Sequence, residues 1–567
     1  MVDLSAKPFY LNETQIAYVE KQIQEMTTEE KIGQLFFVIG QDEDQTDLPA
    51  FIQKYQPGGM MFRPDRGEKI KREVQTLQAA SKIPLFIAAN LESGGNGLVN
   101  EGTWLGMPME IAASGDPEAA YQLGSVAGQE AHQVGANMAF APIVDLDLNF
   151  RNPIMNVRTF GSKQETVLSF AQKQSQGLQD EQIIPVIKHF PGDGVDERDQ
   201  HLLASINSLP ADQWSASYGA IYQKLIDQGI PAVMIAHIML PAWEKRLNPE
   251  IKDEDLLPAS SSKLLVNGLL RQELGFNGLT ITDATLMLGY NTAMARKDLL
   301  PATINAGVDM ILFNKNIDED YDFIRQAIQD GVLSMDRVNE AVTRILATKL
   351  SQKLLNNQGE FIQEIPAELD LKLADHEKMA EEIAKKAVTL VKDRDQLLPL
   401  TPEKYPRIRL YVLGDQDDGG FKEGGHVTDL FKEKLTELGF EVSLFDRKRL
   451  DFHEVFEEGV SDLQKKFDLA LYVANVETAS NQTTTRLDWI HLMATDAPWF
   501  MRSIPTVFVS TANPYHLFDI PNVSTYINAY TGNPASIDAT IRKLTGKEAF
   551  TGSSPVDPFC GQLTTRL

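Results

Sequence analysis

The chain has almost no cysteine and no apolar run long enough to cross a membrane. Its one cysteine among 567 residues, Cys560, excludes an intramolecular disulfide and a zinc site built from several cysteines. The longest apolar runs, such as 230–243, fall short of the roughly 18–20 residues of a membrane helix. The N-terminus lacks the basic and apolar regions of a secretory signal, so we expect a cytoplasmic protein.

Motifs for nucleotides and metals are also missing. No GxGxxG or GxxxxGK[ST] string follows an apolar run, and HExxH does not occur. We therefore expect no cofactor and no metal. Basic residues are outnumbered as well, since 53 Lys and Arg face 79 Asp and Glu and the formal charge is −26. This charge disfavours binding to nucleic acid or to an anionic membrane.

What the chain does contain is a series of short apolar runs, each followed by a polar or helical stretch, as in parallel strands joined by helices. Eight such runs are found at 33–40, 58–64, 83–90, 136–147, 183–190, 230–239, 278–284 and 308–314. Eight β units over about 300 residues predict a (β/α)8 barrel. A doubly wound open sheet is the alternative.

A second series of strand-like runs follows a helical pattern that extends over 318–392. Its five members are 408–414, 440–446, 467–475, 504–511 and 524–532. They predict a second, smaller α/β domain. We accordingly place the barrel at 1–350, a helical linker at 351–405 and the C-terminal domain at 406–567.

Polar side chains are concentrated where the apolar runs of the barrel end. Asn90 and Glu92 follow the third run, Lys188 and His189 end the fifth, and Asp283 follows the seventh. Because the active sites of such barrels lie at the C-terminal ends of the strands, we expect these residues to line one site.

The segment 185–201, PVIKHFPGDGVDERDQH, places Asp199 two residues before His201. In this spacing the carboxylate can accept a hydrogen bond from one ring nitrogen while the other nitrogen faces a substrate, as acid/base catalysis requires. The spacing alone also fits an acidic surface loop that carries a solvated histidine.

Two further side chains have a functional and a structural interpretation. Asp283 ends an apolar strand, where a carboxylate can act as a nucleophile or cap a following helix. Arg158, in NPIMNVRTFGS, can bind a polyhydroxyl or carboxylate ligand, or pair with Asp145, Asp147 or Glu92.

Several strings of the sequence together resemble the motifs of one enzyme family. KHFPGDGVDERDQH, NVRTFG, TDATLM and AHIMLP resemble the motifs of family 3 glycoside hydrolases, specifically of their β-N-acetylhexosaminidase branch. Segments 387–400 and 513–532 resemble the interdomain segment and the C-terminal domain of that family. The resemblance implies a TIM-type barrel followed by a smaller α/β sandwich domain.

The resemblance also implies a retaining double displacement. Asp283 would attack the anomeric carbon and form a covalent glycosyl-enzyme. His201, oriented by Asp199, would protonate the leaving oxygen and then deprotonate the incoming water. Since a neutral imidazole does not repel an anion as a carboxylate does, phosphate is an alternative to water.

Sugar binding is implied for the residues around this pair. Arg158, Lys188 and His189 would hold hydroxyls of the terminal sugar, with Asn90 and Glu92 beside them. Asn90 stands where the family usually has an aspartate that grips a hydroxyl, which brings the exact sugar into question. A second departure is Asp193, at a position where the family often has histidine.

The expected function is therefore an exo-acting β-N-acetylhexosaminidase that releases N-acetylglucosamine from cell-wall muropeptides or chito-oligosaccharides. A β-glucosidase or β-xylosidase of the same family is one alternative, although the D-x-H loop argues against it. The other alternative is a non-catalytic sugar-binding protein on the same scaffold, suggested by Asn90 and Asp193.

Overall fold

The computed structural model describes residues 2–415, 426–449 and 452–567. The chain divides into two compact units, and the second unit includes two short segments from the first third of the sequence. The first unit comprises Met1–Trp104, Ala120–Asn152 and Ser162–His376, and the second comprises Leu105–Ala119, Pro153–Gly161 and Glu377–Leu567.

The first unit is built on eight parallel strands. In spatial order they are Ile311–Leu312, Phe36–Ile39, Gly59–Met61, Phe86–Ala89, Met138–Ala139, Ile184–Phe190, Ala232–Ile235 and Leu279–Thr282. A parallel bridge between Ile281 and Met310 brings the two ends of this series together. The predicted (β/α)8 barrel is thus confirmed, and every predicted apolar run contains one of its strands.

Helices alternate with these strands. The α-helices assigned wholly to this unit are Glu13–Glu25, Thr28–Gln34, Leu48–Tyr55, Gly67–Ala80, Gln164–Asp180, Ala211–Trp214, Ala220–Asp227, Pro241–Leu247, Leu288–Asn291, Arg296–Ala306, Ile317–Gln329 and Met335–Ser351. Pro117–Gln133 and Ala374–Ala387 each cross a boundary between the units, and π-helical turns occur at Ser215–Gly219 and Leu264–Glu273. Thr27 illustrates how their starts are fixed, because it forms a capping box with Glu30.

The barrel interior is filled by alternate residues of successive strands. Phe37 and Phe86 stack with ring centroids 6.4 Å apart, and Phe140 packs against Phe37 at 5.5 Å. These rings belong to one buried apolar cluster that reaches Ile281 and Leu312. A filled interior leaves the loops at the strand ends as the place for a binding site.

The second unit has a six-stranded sheet. Its spatial order is Thr389–Asp393, Thr525–Asn528, Thr506–Ser510, Leu469–Ala474, Arg407–Leu413 and Glu441–Leu444. The first of these strands is antiparallel to its neighbour and the others are parallel. The α-helices of this unit outside the boundary-crossing pair are Pro108–Ala113, His426–Glu437, Phe452–Phe456, Val460–Lys466 and Pro534–Leu544. Buried apolar clusters lie on both faces of the sheet, as expected for a smaller α/β sandwich.

The structure divides the chain differently from the boundaries expected at 350 and 405. The first unit continues to His376, and the expected linker contains both a helix, Ala374–Ala387, and the edge strand Thr389–Asp393. This strand is short and half-buried, so it lacks the continuous apolar run of a central strand. None of the helices in the described residues has the length and apolar character to span a membrane.

Candidate active site

The candidate site is built at the C-terminal ends of the fifth, sixth and seventh barrel strands, counted along the chain from Phe36–Ile39 to Ile311–Leu312. The fifth strand, Ile184–Phe190, runs into the loop 191–204, which carries Asp193, Asp199 and His201. The seventh strand, Leu279–Thr282, ends directly before Asp283. The structure therefore brings most of the predicted site residues to one end of the barrel.

Asp199 and His201 form a hydrogen-bonded pair. His201 Nδ1 lies 2.7 Å from Asp199 Oδ1, and the His201 backbone N–H donates to the same oxygen at 2.9 Å. The Asp199 carboxylate is fully buried, whereas 22% of the His201 side chain is exposed. Because the carboxylate accepts the Nδ1 proton, Nε2 is the nitrogen available to a substrate.

Asp283 is a buried carboxylate held by two donors. Its Oδ1 accepts from the Ala284 N–H at 2.8 Å, and its Oδ2 accepts from Gln200 Nε2 at 3.1 Å. Burial raises its pKa, but the attraction of the neighbouring histidines, above all His189, outweighs burial and holds the pKa of Asp283 below its ordinary value. An ionised carboxylate at this position is suited to act as a nucleophile.

The interpretation of Asp283 as a helix cap is not supported. The residues that follow it are not helical, and the next helix begins only at Leu288. The N-cap position of that helix is Met287. Asp283 is therefore placed by the barrel strand and by its side-chain partners.

His237 is a buried histidine that positions the backbone beside Asp283. Its Nε2 lies 3.1 Å from the Ala284 carbonyl oxygen, and its Nδ1 lies 2.8 Å from Ser260 Oγ. Burial lowers the pKa of His237 to about 4, so the ring is neutral near pH 7. Since a carbonyl can only accept, Nε2 carries the proton and Nδ1 accepts from the Ser260 hydroxyl.

His189 is held by Asp145, at the end of the segment that follows the fourth strand. His189 Nδ1 lies 2.6 Å from Asp145 Oδ2, and both residues are buried. Asp145 also accepts the backbone N–H groups of His189 and Asp193, the latter at 2.8 Å. This pair therefore leaves His189 Nε2 as the nitrogen that can meet a ligand.

Lys188 is paired with Glu92 and reaches Asn90. Its Nζ lies 2.6 Å from Glu92 Oε1 and 3.4 Å from Asn90 Oδ1. The side chain of Lys188 is buried and that of Glu92 nearly so. These three predicted sugar-binding residues thus lie together, and an ammonium group between a carboxylate and an amide offers donors and acceptors suited to sugar hydroxyls.

Asp193 is buried within the same loop. Its Oδ1 accepts from Asn152 Nδ2 at 3.1 Å, and within the described residues its buried Oδ2 has no hydrogen-bond partner. Burial, and then the charge of Asp145, raises the pKa of Asp193 to about 7. Asp193 therefore differs from the ionised Asp283, although both are buried carboxyl groups.

The loop fits tightly against its surroundings at two glycines. Gly192 has φ +122°, and a Cβ there would lie 2.2 Å from Tyr218 Cδ1. At Gly194, with φ +93°, a Cβ would lie 2.0 Å from the Leu146 carbonyl oxygen. The Tyr218 hydroxyl donates to the carbonyl oxygens of Asp193 and Leu146. The loop conformation is thus fixed by the backbone as well as by the charged side chains.

Arg158 belongs to the segment Pro153–Gly161, which is part of the second unit. It is half-buried, and its Nη1 donates to the Ile154 carbonyl oxygen at 3.1 Å. Its role in binding the sugar stays a prediction, as do the catalytic roles of Asp283, Asp199 and His201.

Sequence reasoning missed two residues of this network. Gln200 is the middle residue of D-x-H, and only its contact with Asp283 marks it. The sequence around His237 is typical of a core histidine, and only its hydrogen bond to the Ala284 carbonyl oxygen shows that it lies beside Asp283. Within the described residues, no group of three or more His, Cys, Asp or Glu side chains is arranged to hold a metal ion.

Buried carboxyl and imidazole groups at the C-terminal ends of barrel strands are the kind of groups with which glycoside-cleaving enzymes carry out catalysis. The family model "Glycosyl hydrolase family 3 N terminal domain" matches residues 27–348. The chain belongs to glycosyl hydrolase family 3, which confirms the resemblance found in the sequence.

The most similar proteins carry several names. The chain is 42% identical to a β-N-acetylglucosaminidase/β-glucosidase of Cellulomonas fimi over the full length of both. It is 41% identical to the solved β-glucoside phosphorylase BglX, with a TM-score of 0.92 over 99% of each chain. A β-N-acetylglucosaminidase from Paenibacillus sp. strain FPU-7 shares the fold, with 24% identity and a TM-score of 0.78 over 94% of this chain and 99% of that one.

Proposed function

We propose that the chain is an exo-acting, retaining β-N-acetylglucosaminidase, which removes terminal N-acetylglucosamine from small β-glycosides such as chito-oligosaccharides or muropeptides. One observation carries this proposal. The buried Asp283 carboxylate, with its lowered pKa, accepts a hydrogen bond from Gln200, the residue between Asp199 and His201. The groups proposed as the nucleophile and as the acid/base pair therefore lie next to each other at one end of the barrel.

In the first step, a carboxylate oxygen of Asp283 forms a bond to the anomeric carbon as the bond to the aglycone oxygen breaks. His201 Nε2 gives its proton to that oxygen, and Asp199 stabilises the charge on the ring. In the second step, His201 takes a proton from the incoming acceptor, the acceptor oxygen bonds to the anomeric carbon, and Asp283 leaves as a carboxylate. Each step inverts the anomeric carbon, so after both steps the product keeps the β configuration of the substrate.

The choice of sugar depends on the acid/base pair and on the residues around Lys188. The D-x-H pair and the name of the Cellulomonas fimi relative support N-acetylglucosaminides, and the same name includes glucosides. Asn90, an uncharged residue next to Lys188, is the candidate for a difference in hydroxyl recognition. β-Glucosides are therefore the competing substrate class.

Phosphorolysis of the same bond is the second candidate function. The acid/base candidate is an imidazole, which in its neutral form does not repel a phosphate anion as a carboxylate would. In addition, the relative named a β-glucoside phosphorylase matches this chain over 99% of its length. In this version, phosphate replaces water as the acceptor in the second step and the product is a sugar 1-phosphate.

The test is turnover of p-nitrophenyl β-N-acetylglucosaminide and β-glucoside, with and without phosphate, by wild type and Asp283→Asn. The proposal predicts turnover of the N-acetyl substrate that is lost in the variant. A rate that depends on phosphate, with a sugar 1-phosphate seen by phosphorus NMR, would establish phosphorolysis. Turnover of the glucoside alone would show that β-glucosides are the substrates. Binding of sugar without turnover would refute the proposed enzymatic activity.

We also propose that the protein acts in the cytoplasm, on imported wall fragments. The motivating observation is the cysteine content, because a chain with Cys560 alone forms no intramolecular disulfide, as is usual for proteins of a reducing compartment. Fractionation of the source cells tests this, and recovery of the protein outside the cytoplasm would contradict it.

A further inference from the structure

Gln200 lies between the two members of the acid/base pair and also contacts the nucleophile candidate. Its Nε2 donates to Asp283 Oδ2 at 3.1 Å, and its Oε1 accepts from the His237 backbone N–H at 2.9 Å. The side chain is buried, with 1% of its surface exposed. A single amide thus connects the loop of Asp199 and His201 to the ends of the sixth and seventh strands.

The orientation of this amide is fixed by its partners. The His237 N–H can only donate, so it must face the carbonyl oxygen of Gln200. The amino group then necessarily faces Asp283, whose ionised carboxylate can only accept. Neither hydrogen bond survives if the amide is turned over, so Gln200 holds one orientation.

The backbone of the same residues reinforces the connection. The Gly289 N–H donates to the Gln200 carbonyl at 3.1 Å, and the Leu288 N–H donates to the His201 carbonyl at 3.0 Å. A Cβ at Gly289 would lie 2.6 Å from the Gln200 carbonyl oxygen, so this close approach requires glycine. The acid/base loop is thus bonded to the segment that directly follows Asp283.

We propose that Gln200 is a positioning residue that couples the two halves of the catalytic machinery, so that His201 and Asp283 are brought into place together. The proposal rests on the proposed function, because it assumes that both groups act in one reaction. Its physical basis is that misplacing a reacting group by about 1 Å can reduce the rate about 100-fold. A buried amide bonded at both ends prevents such displacement.

The role of Gln200 can be tested by replacing its neutral amide with a carboxyl group, whose charge depends on pH. In Gln200→Glu, an ionised side chain would still accept from the His237 N–H but would repel Asp283. When protonated, the introduced carboxylic acid again donates to Asp283 and accepts from His237, as glutamine does. The variant should therefore recover activity as the pH falls.

The experiment measures kcat/KM of Gln200→Glu relative to wild type between about pH 5 and about pH 8, on an activated aryl glycoside. We expect the variant to be about 100-fold slower than wild type at the upper pH and within about 10-fold at the lower pH. The titratable groups facing Asp283 are His189, His237 and His201, with Asp199 behind His201. Dividing kcat/KM of the variant by that of wild type at each pH removes the part of the pH dependence that is the same in the two proteins.

The matched control is Gln179→Glu, which adds the same charge at an exposed position of the helix Gln164–Asp180. Its ratio to wild type should stay near one at every pH. A second variant, Gln200→Met, removes both hydrogen bonds while keeping a side chain of similar length, and should be about 10–100-fold slower at all pH values.

Several outcomes would overturn the proposal. A Gln200→Glu ratio that does not change with pH, or a Gln200→Met variant as fast as wild type, would refute the coupling. Equal losses at all pH values in both variants, together with a lowered Tm, would assign Gln200 a purely structural role. A wild type that turns over no glycoside would refute the proposed function and this proposal with it, whereas an active wild type with a flat ratio refutes only the coupling.

Discussion

Asp199 Oδ1 lies 2.7 Å from His201 Nδ1, so the ring of His201 is oriented from behind while its Nε2 faces away from the carboxylate. If this ring protonates the leaving oxygen, its loss matters only when the leaving group needs a proton. His201→Ala should reduce kcat/KM about 10²–10⁴-fold on alkyl glycosides and far less on dinitrophenyl glycosides. A kinetic series of leaving groups measures this.

The control for that series is His491→Ala, which removes a fully exposed histidine. Its rates should follow those of wild type for every leaving group. Equal loss across the series in His201→Ala would instead show that His201 supports the structure of the loop.

Lys188 and Glu92 form a largely buried ion pair, with 2.6 Å between Nζ and Oε1. Lys188→Met leaves the Glu92 carboxylate without this cation, and should lower the free energy of unfolding by about 3 kcal/mol. Adding Glu92→Gln removes the carboxylate charge that Lys188 balances in wild type and should restore part of the loss. Urea unfolding of the two single variants and the double variant measures the coupling.

Lys245 provides the control, because it forms an exposed pair with Asp253. Lys245→Met should change the free energy of unfolding by less than about 1 kcal/mol. Additive losses in Lys188→Met and Glu92→Gln would mean that the buried pair does not act as a unit.

Gly192 and Gly229 both have positive φ, but only Gly192 is enclosed. A Cβ at Gly192 meets the Tyr218 ring at 2.2 Å, whereas a Cβ at Gly229 has no atom within 4 Å. Gly192→Ala should therefore displace the loop and reduce turnover at least about 10-fold. Gly229→Ala should cost only the backbone strain of about 1 kcal/mol, with turnover unchanged. Equal turnover in the two variants would contradict the tight fit of the loop.

Asp193 should make stability depend on pH. Its pKa in the folded state, about 7, lies above the ordinary value of 3.8, so the folded state binds more protons between these values. The stabilisation is complete below about pH 4 and is lost as the pH rises to about 7. Asp193→Asn should remove this trend, which thermal unfolding across that range measures.

The exposed Asp255 supplies the matched control. Asp255→Asn should retain the pH dependence of wild type, because it removes an exposed carboxyl and leaves Asp193 in place. An Asp193→Asn variant that keeps the full wild-type trend would contradict the raised pKa of Asp193.

The barrel was predictable because its strands lie in apolar runs that are buried almost throughout, which is the signal that a sequence gives for a parallel sheet. The edge strand Thr389–Asp393 was not, because it is antiparallel and only half-buried. Lys188, Glu92 and Asn90 were expected near one another since they lie at the C-terminal ends of the third and fifth apolar runs of one barrel. Their grouping required only the barrel topology.

The contacts of Gln200 and His237 join residues that lie far apart in the sequence, so they could not be predicted from it. Gln200 meets Asp283 across 83 residues of sequence, and His237 reaches the Ala284 carbonyl across 47. Local spacing does not encode such pairs. Gln200 is placed by the loop conformation that Gly192 and Gly194 permit, and His237 and Ala284 are brought together by the pairing of the two strands that precede them. The middle position of a D-x-H string gives no chemical hint of its partner.

The central claim is that Asp283 forms a covalent bond to the sugar. The most direct measurement traps that intermediate with a 5-fluoro glycosyl fluoride of the sugar that the enzyme turns over, followed by mass spectrometry of the peptides. We expect a single glycosyl adduct on Asp283, formed by wild type and absent from Asp283→Asn. An adduct on another side chain, or an adduct of equal yield in the variant, would contradict it.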